Sequence, residues 1–410
     1  MTRKGIWDLQ EVRDKQLEGK WVADTNTLWV WGANNYGECG QNNRTEQPSP
    51  VQIPGTDWEQ TQQQTTAPGG SHTKFCKKVD GTMWAWGQNS SGQLGINSQE
   101  DGRSSPTQIP GTNWAGVFAG EAPCLGVKTD GTLWSWGDNG RGGLGLNQPT
   151  STKISSPTQI PGTNWAYGRG KICAGSSTCF AIKTDGTLWN WGDNEYGQLG
   201  QNNRTQYSSP RQVPGTTWDT VGGIYAQAIA TKTDGTLWTW GPNESGRLGL
   251  NNRTSYSSPV QIPGTTWNRA YASSSTVIAF KDKVDDPNST NKEMYIWGHN
   301  SYGAIGQNSP DNITYSSPIQ MSGDWQSASA GFPKRGQAWM VLKGDGRLYG
   351  VGNAKDSCLG RFDHDIDDGS PSPYFSSPVQ LSGTWWKSGS IQGGSDGGMA
   401  IKQDMSQNDV

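Results

Sequence analysis

A repeated unit constrains this 410-residue chain more than any other feature. Its clearest copy runs from 181 to 218 and reads Lys-Thr-Asp-Gly-Thr-Leu-Trp-x-Trp-Gly, then Gly-x-Leu-Gly, then Ser-Ser-Pro-x-Gln-φ-Pro-Gly-Thr-x-Trp, where φ is apolar. The Trp-Gly anchor recurs at Trp31, Trp86, Trp136, Trp191, Trp240 and Trp297, with Val351 in the seventh place. The unit closes on Trp58, Trp114, Trp165, Trp218, Trp267, Trp325 and Trp385. Both series count seven copies, and a period of roughly 50 residues is typical of propellers, solenoids and arrays.

Each copy has the pattern of short β-strands. The Thr-Asp-Gly-Thr segment predicts a two-residue hairpin between two apolar runs. Trp189 and Trp191 lie two residues apart, so both rings point to the same face of a strand. A sheet of about four short strands with one aromatic face must stack on a neighbour to exclude water. The sequence therefore predicts an all-β, seven-bladed β-propeller.

The order of these motifs resembles the repeat of the regulator of chromosome condensation family, whose members form seven-bladed propellers. The resemblance covers residues 21–402 and implies a binding protein. A nucleotide-exchange role would need a projecting wedge, for which 281–292 is the nearest segment. The Gly-Trp-Arg-His-Thr motif of the plant ultraviolet-B photoreceptor does not occur here. Bacterial inhibitors of this fold bind an enzyme across one rim, and that role stays open.

The two ends of the chain supply complementary halves of one unit. Residues 27–53 contain a Trp-x-Trp strand and a Pro-started strand, while 385–391 and 398–402 resemble the two strands that should precede them. We therefore expect the first blade to be closed by both termini. Residues 21–24 compete with 399–402 for the same place, and the sequence leaves both open.

Residues 1–20 stand outside the repeat and form a second predicted region beside the propeller of 21–410. Asp8 as N-cap and Gly19 as stop predict a short helix. Its apolar side needs a partner, and the predicted docking residues are Trp7, Leu9, Val12 and Leu17. That partner is either the chain's own propeller or another protein. Residues 5–11 also resemble a short opening motif of structural proteins of tailed bacteriophages, which implies a virion protein.

Composition narrows the function classes. The 22 tryptophans supply the apolar area that the unit needs. A net charge of −3 with scattered Lys and Arg argues against nucleic-acid binding. The chain has no apolar run long enough to span a membrane and no signal-peptide pattern, so we expect a virion location or, failing that, a cytoplasmic one. The six cysteines are interpreted as small buried residues.

Catalytic chemistry has few candidate residues. The three histidines, His72, His299 and His364, lie in different units and do not build a triad or a metal site. The acidic stretch 363–369 lacks the Gly and Glu of an EF-hand loop, which favours a solvated loop over a calcium site. We expect no enzyme activity, no cofactor and no metal.

Candidate binding residues lie in the loop of each unit. Asn-Asn-Arg-Thr recurs three times, placing Arg44, Arg204 and Arg253 on equivalent loops, and three of the repeat loops carry a tyrosine, at Tyr36, Tyr196 and Tyr302. One interpretation is a polar connector with Asn in tight turns. The other is a binding rim for a protein or a glycan.

Together these observations predict a non-enzymatic propeller that serves as a virion structural or host-contact component in a tail, fibre or capsid surface. Its expected partners are other virion proteins, or a host-surface protein or glycan. The alternative is a soluble protein-binding propeller of bacterial type, acting as an enzyme inhibitor or a regulatory scaffold.

Overall fold

The computed structural model describes most of the repeat region. The described residues are 27–55, 57–59, 72–120, 123–224, 226–272, 276–286, 288–308, 312–330, 338–353, 374–381, 392–393 and 397–402. The predicted N-terminal helix, the docking residues on it and the acidic stretch 363–369 lie outside these ranges. Among the described residues, no helix has the length and apolar character to span a membrane.

The strands form five four-stranded antiparallel sheets and one seven-stranded sheet. The first strands of successive sheets lie against one another, so they are the innermost strands of a ring. They are β3 (Trp58–Glu59), β7 (Trp114–Ala119), β11 (Ile172–Ala174), β15 (Trp218–Ile224), β19 (Trp267–Ala272), the second half of β22 (Thr314–Ala330) and β26 (Gln392–Gly393). The second strands are β4 (Thr73–Lys78), β8 (Pro123–Lys128), β12 (Thr178–Ile182), β16 (Gln227–Lys232), β20 (Thr276–Lys281), β23 (Ala338–Lys343) and β27 (Gly397–Lys402).

The third strands carry the Trp-x-Trp motif or its counterpart: β1 (Thr27–Gly32), β5 (Met83–Gln88), β9 (Leu133–Asp138), β13 (Leu188–Gly192), β17 (Leu237–Gly241), β21 (Lys292–His299) and β24 (Leu348–Asn353). The outermost strands carry the Pro anchor: β2 (Gln47–Gln52), β6 (Gly102–Gln108), β10 (Lys153–Gln159), β14 (Tyr207–Gln212), β18 (Tyr256–Ile262), the first half of β22 and β25 (Tyr374–Gln380). Because β22 belongs to two blades, the seven-stranded sheet is blades six and seven, and the predicted seven-bladed propeller is confirmed.

The first blade is built from both ends of the described chain, as predicted. Its strand order is β2-β1-β27-β26. Trp29 pairs with Ala400 and Thr27 with Lys402 in an antiparallel register. The structure thus chooses between the two competing segments, because residues 397–402 occupy the place beside β1.

Each blade has two ends that face opposite sides of the ring. We call one side the hairpin face: it carries the Asp-Gly hairpins between second and third strands, and the connections from each outermost strand to the next blade. The other side, the loop face, carries the connections between third and outermost strands. In an antiparallel sheet, successive connections alternate between the two ends, so every blade follows this arrangement.

The hairpin differs from the predicted two-residue turn. The Gly186 N–H donates to the Lys183 carbonyl and the Lys183 N–H to the Thr187 carbonyl, which makes a three-residue loop. Within this loop only Gly186 has a positive φ, at 77°. Asp185 does not adopt the positive φ of a two-residue turn, because its carboxylate instead accepts the N–H and the hydroxyl of Thr187, at 3.0 and 2.6 Å. Three other hairpins repeat these bonds, and we call the four acceptors the hairpin aspartates: Asp80, Asp130, Asp185 and Asp234.

The Trp rings form the core of each blade. Trp165, which begins its unit's innermost segment, packs against both Trp189 and Trp191, with ring centroids 6.4 and 6.3 Å apart. The two rings of the third strand thus share a face, as predicted, with Trp191 fully buried and Trp189 half-buried. Lys183 lies 4.8 and 4.5 Å from the Trp165 and Trp189 centroids, and an equivalent cation–π contact occurs in each of blades two to seven.

A tryptophan hydrogen bond also joins each of blades two to six to the blade before it. Trp191 Nε1 donates to the Gly143 carbonyl of the preceding blade at 2.9 Å. Gly145 lies directly over this ring, and a Cβ there would come within 2.7 Å of Trp191 Nε1. The same bond, at 2.8 to 2.9 Å, is made by Trp86, Trp136, Trp240 and Trp297. The second Gly of Gly-x-Leu-Gly is therefore required by contact between blades.

The cysteines of the described residues are buried, in keeping with their interpretation as small core residues: Cys39, Cys76, Cys124, Cys173 and Cys179. Burial raises the pKa of the Cys39 thiol to about 12 and raises those of Cys76 and Cys124 further. The Cys179 thiol donates to the Gly143 carbonyl at 3.3 Å, beside the Trp191 bond.

Candidate functional site

The loop face carries all the binding residues that the sequence predicts in the described chain. Each loop follows a Trp-Gly or equivalent pair and begins at a buried asparagine. These asparagines are Asn34, Asn89, Asn139, Asn194, Asn243 and Asn300. The six loops are therefore copies of one scaffold.

The buried asparagine holds its loop from inside. Asn194 Oδ1 accepts the N–H of Leu199 at 2.9 Å, and its Nδ2 donates to the carbonyls of Asn203 and Thr205 at 3.1 and 2.9 Å. An amide can satisfy a loop in this way because it is donor and acceptor at once. The bond from Oδ1 to the residue five positions on recurs in all six loops at 2.8 to 3.0 Å.

The loop also contacts the next blade. Asn202, the first residue of Asn-Asn-Arg-Thr, has φ of 54°, a conformation that Asn tolerates. Its N–H donates to the Ser257 carbonyl at 2.8 Å, and its Oδ1 accepts the Ser258 hydroxyl at 3.2 Å. The repeated asparagines thus act as turn residues, and they fix the position of the arginine that follows them.

The three predicted arginines differ in their contacts. Arg44 Nη1 lies 3.0 Å from Asp101 Oδ2 of the next blade, so it forms a surface ion pair. Arg204 and Arg253 are exposed on the loops of blades four and five. An exposed ion pair contributes only about 0–1 kcal/mol, so Arg44 is held in place without adding much to stability.

The three predicted tyrosines differ in the same way. Tyr36 is half-buried against the ring of His72, with centroids 4.7 Å apart. Tyr196 and Tyr302 are 45% and 39% exposed on blades four and six. The structure therefore places Tyr196, Arg204, Arg253 and Tyr302 on three successive blades. We call these four residues the loop-face arc, and Tyr36 and Arg44 lie apart from it on blade one.

One further residue of the loop face was not predicted. Arg141 occupies the position of Tyr196 in its own loop, and its Nη1 lies 3.1 Å from Glu195 Oε2 and 3.4 Å from Asp193 Oδ1. Aligning the Asn-x-x-Gly segments of the six loops would have found it, because Arg141 stands third in that segment.

The described residues contain no cluster typical of catalysis. His72 Nδ1 lies 2.7 Å from Glu38 Oε1, and both side chains are buried. Glu38 Oε2 also accepts the Tyr36 N–H at 2.8 Å, so this pair holds the first loop. Within the described ranges, no group of three or more His, Cys, Asp or Glu side chains could hold a metal ion.

Comparisons with known proteins identify relatives of this architecture. The sequence profile of the RCC1-like domain matches residues 21–333. The human E3 ubiquitin-protein ligase HERC2 is 27% identical over 197 residues, which are 47% of this chain and 4% of HERC2. The Ultraviolet-B receptor UVR8 of Arabidopsis thaliana is 25% identical over 189 residues, 45% of this chain and 42% of UVR8. The matched region thus spans less than half the length of these relatives.

A solved structure shows the same fold. Prp20p from Saccharomyces cerevisiae superposes with a TM-score of 0.74 at 16% sequence identity, covering 92% of this chain and 91% of Prp20p. At this identity the likeness concerns the fold alone.

Proposed function

We propose that this chain, which belongs to the RCC1-like domain family, is a non-enzymatic β-propeller. In this proposal it binds a protein partner on its loop face. The structure of Prp20p, which shares this fold, was described together with its binding properties to Gsp1p and histones. That likeness supports protein binding as the use of the fold here. It does not identify the partner.

The observation that carries the proposal is the loop-face arc. Tyr196 and Tyr302 are exposed, while the two rings of the Trp-x-Trp motif are half-buried and fully buried, as in Trp189 and Trp191. Tyr and Arg are enriched among residues that dominate binding energy in protein interfaces. The arc also stands on loops that the buried asparagines hold, so little conformational entropy would be lost on binding.

The test is a triple variant of the arc, Tyr196→Ala, Arg253→Ala and Tyr302→Ala, in the full chain. If the arc is the interface, affinity for a partner isolated with the wild-type protein should fall by at least about thirtyfold, since hot-spot truncations cost about 2 kcal/mol or more each. Arg141→Ala is the matched control, because Arg141 stands at the same loop position but already pairs with Glu195.

Three results would decide the matter. Unchanged affinity in a triple variant with wild-type circular dichroism would remove the loop face from the proposal. Binding of an immobilised glycan that the triple variant loses would replace the protein partner by a carbohydrate. Equal losses in the triple variant and in Arg141→Ala would show a general effect of the loops.

The virion location is a finer hypothesis, supported by the resemblance of residues 5–11 to phage structural proteins. In it, residues 1–20 are a docking segment that attaches the propeller of 21–410 to another virion subunit through Trp7, Leu9, Val12 and Leu17. A chain lacking 1–20 should then fold but fail to enter particles. Its incorporation at normal copy number would favour the alternative of a free protein-binding propeller.

A further inference from the structure

A cavity of about 230 Å³ opens on the hairpin face at the innermost strands of blades four, five and six. Its walls include Arg169 and Lys171 from blade four, Asp219 from blade five, and Arg269 and Tyr271 from blade six. It lies on the opposite side of the ring from the loop-face arc, so it is a separate site.

The cavity depends on an insertion in blade four that blades three, five, six and seven lack. Lys171 and Arg269 occupy equivalent places. Arg269 pairs with Phe280, the residue before Lys281, and the Lys171 carbonyl accepts the N–H of Ile182, the residue before Lys183. Trp267 precedes Arg269 by two residues, whereas Trp165 precedes Lys171 by six, so blade four has four extra residues. This insertion, 167–170, brings Arg169 to the cavity.

Contacts with blades five and six hold the insertion in place. The Gly170 carbonyl accepts the Val221 N–H at 2.7 Å. The guanidinium carbon of Arg169 lies 5.9 Å from the centre of the Tyr271 ring, two blades away. A chain of ordinary blade length would not reach this far.

The three cations of the cavity are held differently. Lys171 Nζ donates to the carbonyl and to Oδ1 of Asp219, both at 2.7 Å, so the one carboxylate among the described lining residues is already engaged. Arg269 Nη2 donates to the Gln326 carbonyl of blade seven at 3.1 Å. Arg269 Nε is buried and has no hydrogen-bond acceptor within the described residues.

The lining therefore carries two more positive than negative charges. Burial lowers the pKa of the Arg169 guanidinium, the nearby Tyr271 opposes this shift, and the charge of Arg269 adds to it. Both guanidinium groups line this one cavity, so their like charges repel each other across it. An anion placed between them would relieve this repulsion and accept the buried N–H of Arg269. Guanidinium groups favour carboxylate and phosphate because their paired donors match two oxygens at once.

We propose that this cavity binds a small oxyanion, a phosphate or carboxylate group, between Arg169 and Arg269. The volume supports a small anion, because pockets for drug-sized ligands occupy about 300–1,000 Å³. Asp219 holds Lys171 at the edge of the site and balances its charge, so the positive field of the cavity comes from the two arginines.

The experiment titrates the full chain with inorganic phosphate and, separately, with succinate, at constant ionic strength held by chloride. Calorimetry and the thermal midpoint are the two readouts. We expect saturable binding and a rising midpoint with at least one of the two anions, and the stronger one identifies the ligand class. Arg269→Gln and Arg169→Gln should each weaken binding about tenfold or more, as expected for loss of one charge-assisted hydrogen bond.

Two variants serve as controls. Arg44→Gln makes the same charge change on the loop face of blade one, outside the loop-face arc, and should leave anion binding unchanged. Arg269→Lys keeps the charge without the paired donors and should retain part of the affinity, which separates a binding defect from a folding defect. The proposal is overturned if neither anion binds more tightly than chloride, or if the Arg169 and Arg269 variants bind like Arg44→Gln. Because the loop-face arc is untouched, either result leaves the protein-binding proposal to its own test.

Discussion

Replacing Trp191 by Ala tests whether the paired tryptophans carry the stability of the ring. Trp191 is fully buried, contacts Trp165 and donates to the Gly143 carbonyl of the preceding blade. Removing so large a buried ring should cost about 3–5 kcal/mol of unfolding free energy. That is a large part of the roughly 5–15 kcal/mol that keeps a typical protein folded.

Trp189→Ala is the matched control, because Trp189 lies on the same strand and touches the same Trp165. Trp189 is only half-buried, and its Nε1 donates to Thr187 in its own hairpin at 2.9 Å, so its loss should cost about half as much. Trp191→Phe keeps most of the apolar area but loses the hydrogen bond between blades. We expect it to lower the free energy of unfolding by about 1 kcal/mol, because the Cys179 thiol still donates to the Gly143 carbonyl.

Urea unfolding followed by far-ultraviolet circular dichroism is the assay, since removing a tryptophan alters fluorescence directly. The wild type and three variants should rank as wild type, Trp191→Phe, Trp189→Ala and Trp191→Ala in falling midpoint. If Trp191→Ala proves no less stable than Trp189→Ala, stacking between blades does not explain the stability of this fold.

Three further predictions concern other parts of the ring. Gly145→Ala should lower the thermal midpoint, because its Cβ would meet Trp191 and its φ is 70°, whereas Gly140→Ala, with its nearest contact at 3.5 Å, should not. Hydrogen bonds from threonine lower the pKa of the hairpin aspartates. The stability that these carboxylates contribute should therefore be lost as the pH falls below about 4, and the thermal midpoint should decline. Changing all four to Asn should flatten that decline. The sixth cysteine, Cys358, lies outside the described residues and is first replaced by Ser. In this background the native protein at pH 8 should resist thiol reagents until it is denatured, because the described cysteines are buried. Fast labelling of the native protein would contradict their placement.

The repeat predicted the blade number, the shared face of the Trp pair and the closing of the first blade. Each of these features depends only on the spacing of residues along the chain. The alternation of side chains on a strand and the positions of the hairpin residues indicate that spacing well. The hairpin type was wrong, because Asp185 uses its side chain as an acceptor for Thr187 and leaves positive φ to Gly186. The type of turn depends on the direction of these hydrogen bonds, which residue spacing does not predict.

The candidate site was predicted only in part. Asparagine is common in exposed turns, so nothing in its residue type indicates that Asn194 is buried and holds a loop. The merging of blades six and seven had a detectable cause, however. The sixth unit has Met321-Ser322 where units one to five have an apolar residue followed by Pro, and without Pro the strand β22 continues into the next blade.

The pairing of β1 with β27 also determines the order in which the ring can assemble. Their partners lie more than 360 residues apart, as with Trp29 and Ala400. Joining them in an otherwise unfolded chain would cost about 2 kcal/mol more loop entropy than closing a loop of blade length. Once the intervening blades have stacked, they hold the two strands near each other and most of that cost disappears. On the ribosome, β1 and β2 must therefore wait with one edge unpaired until the last strands emerge, and this is the period in which a second nascent chain could insert its own strand there.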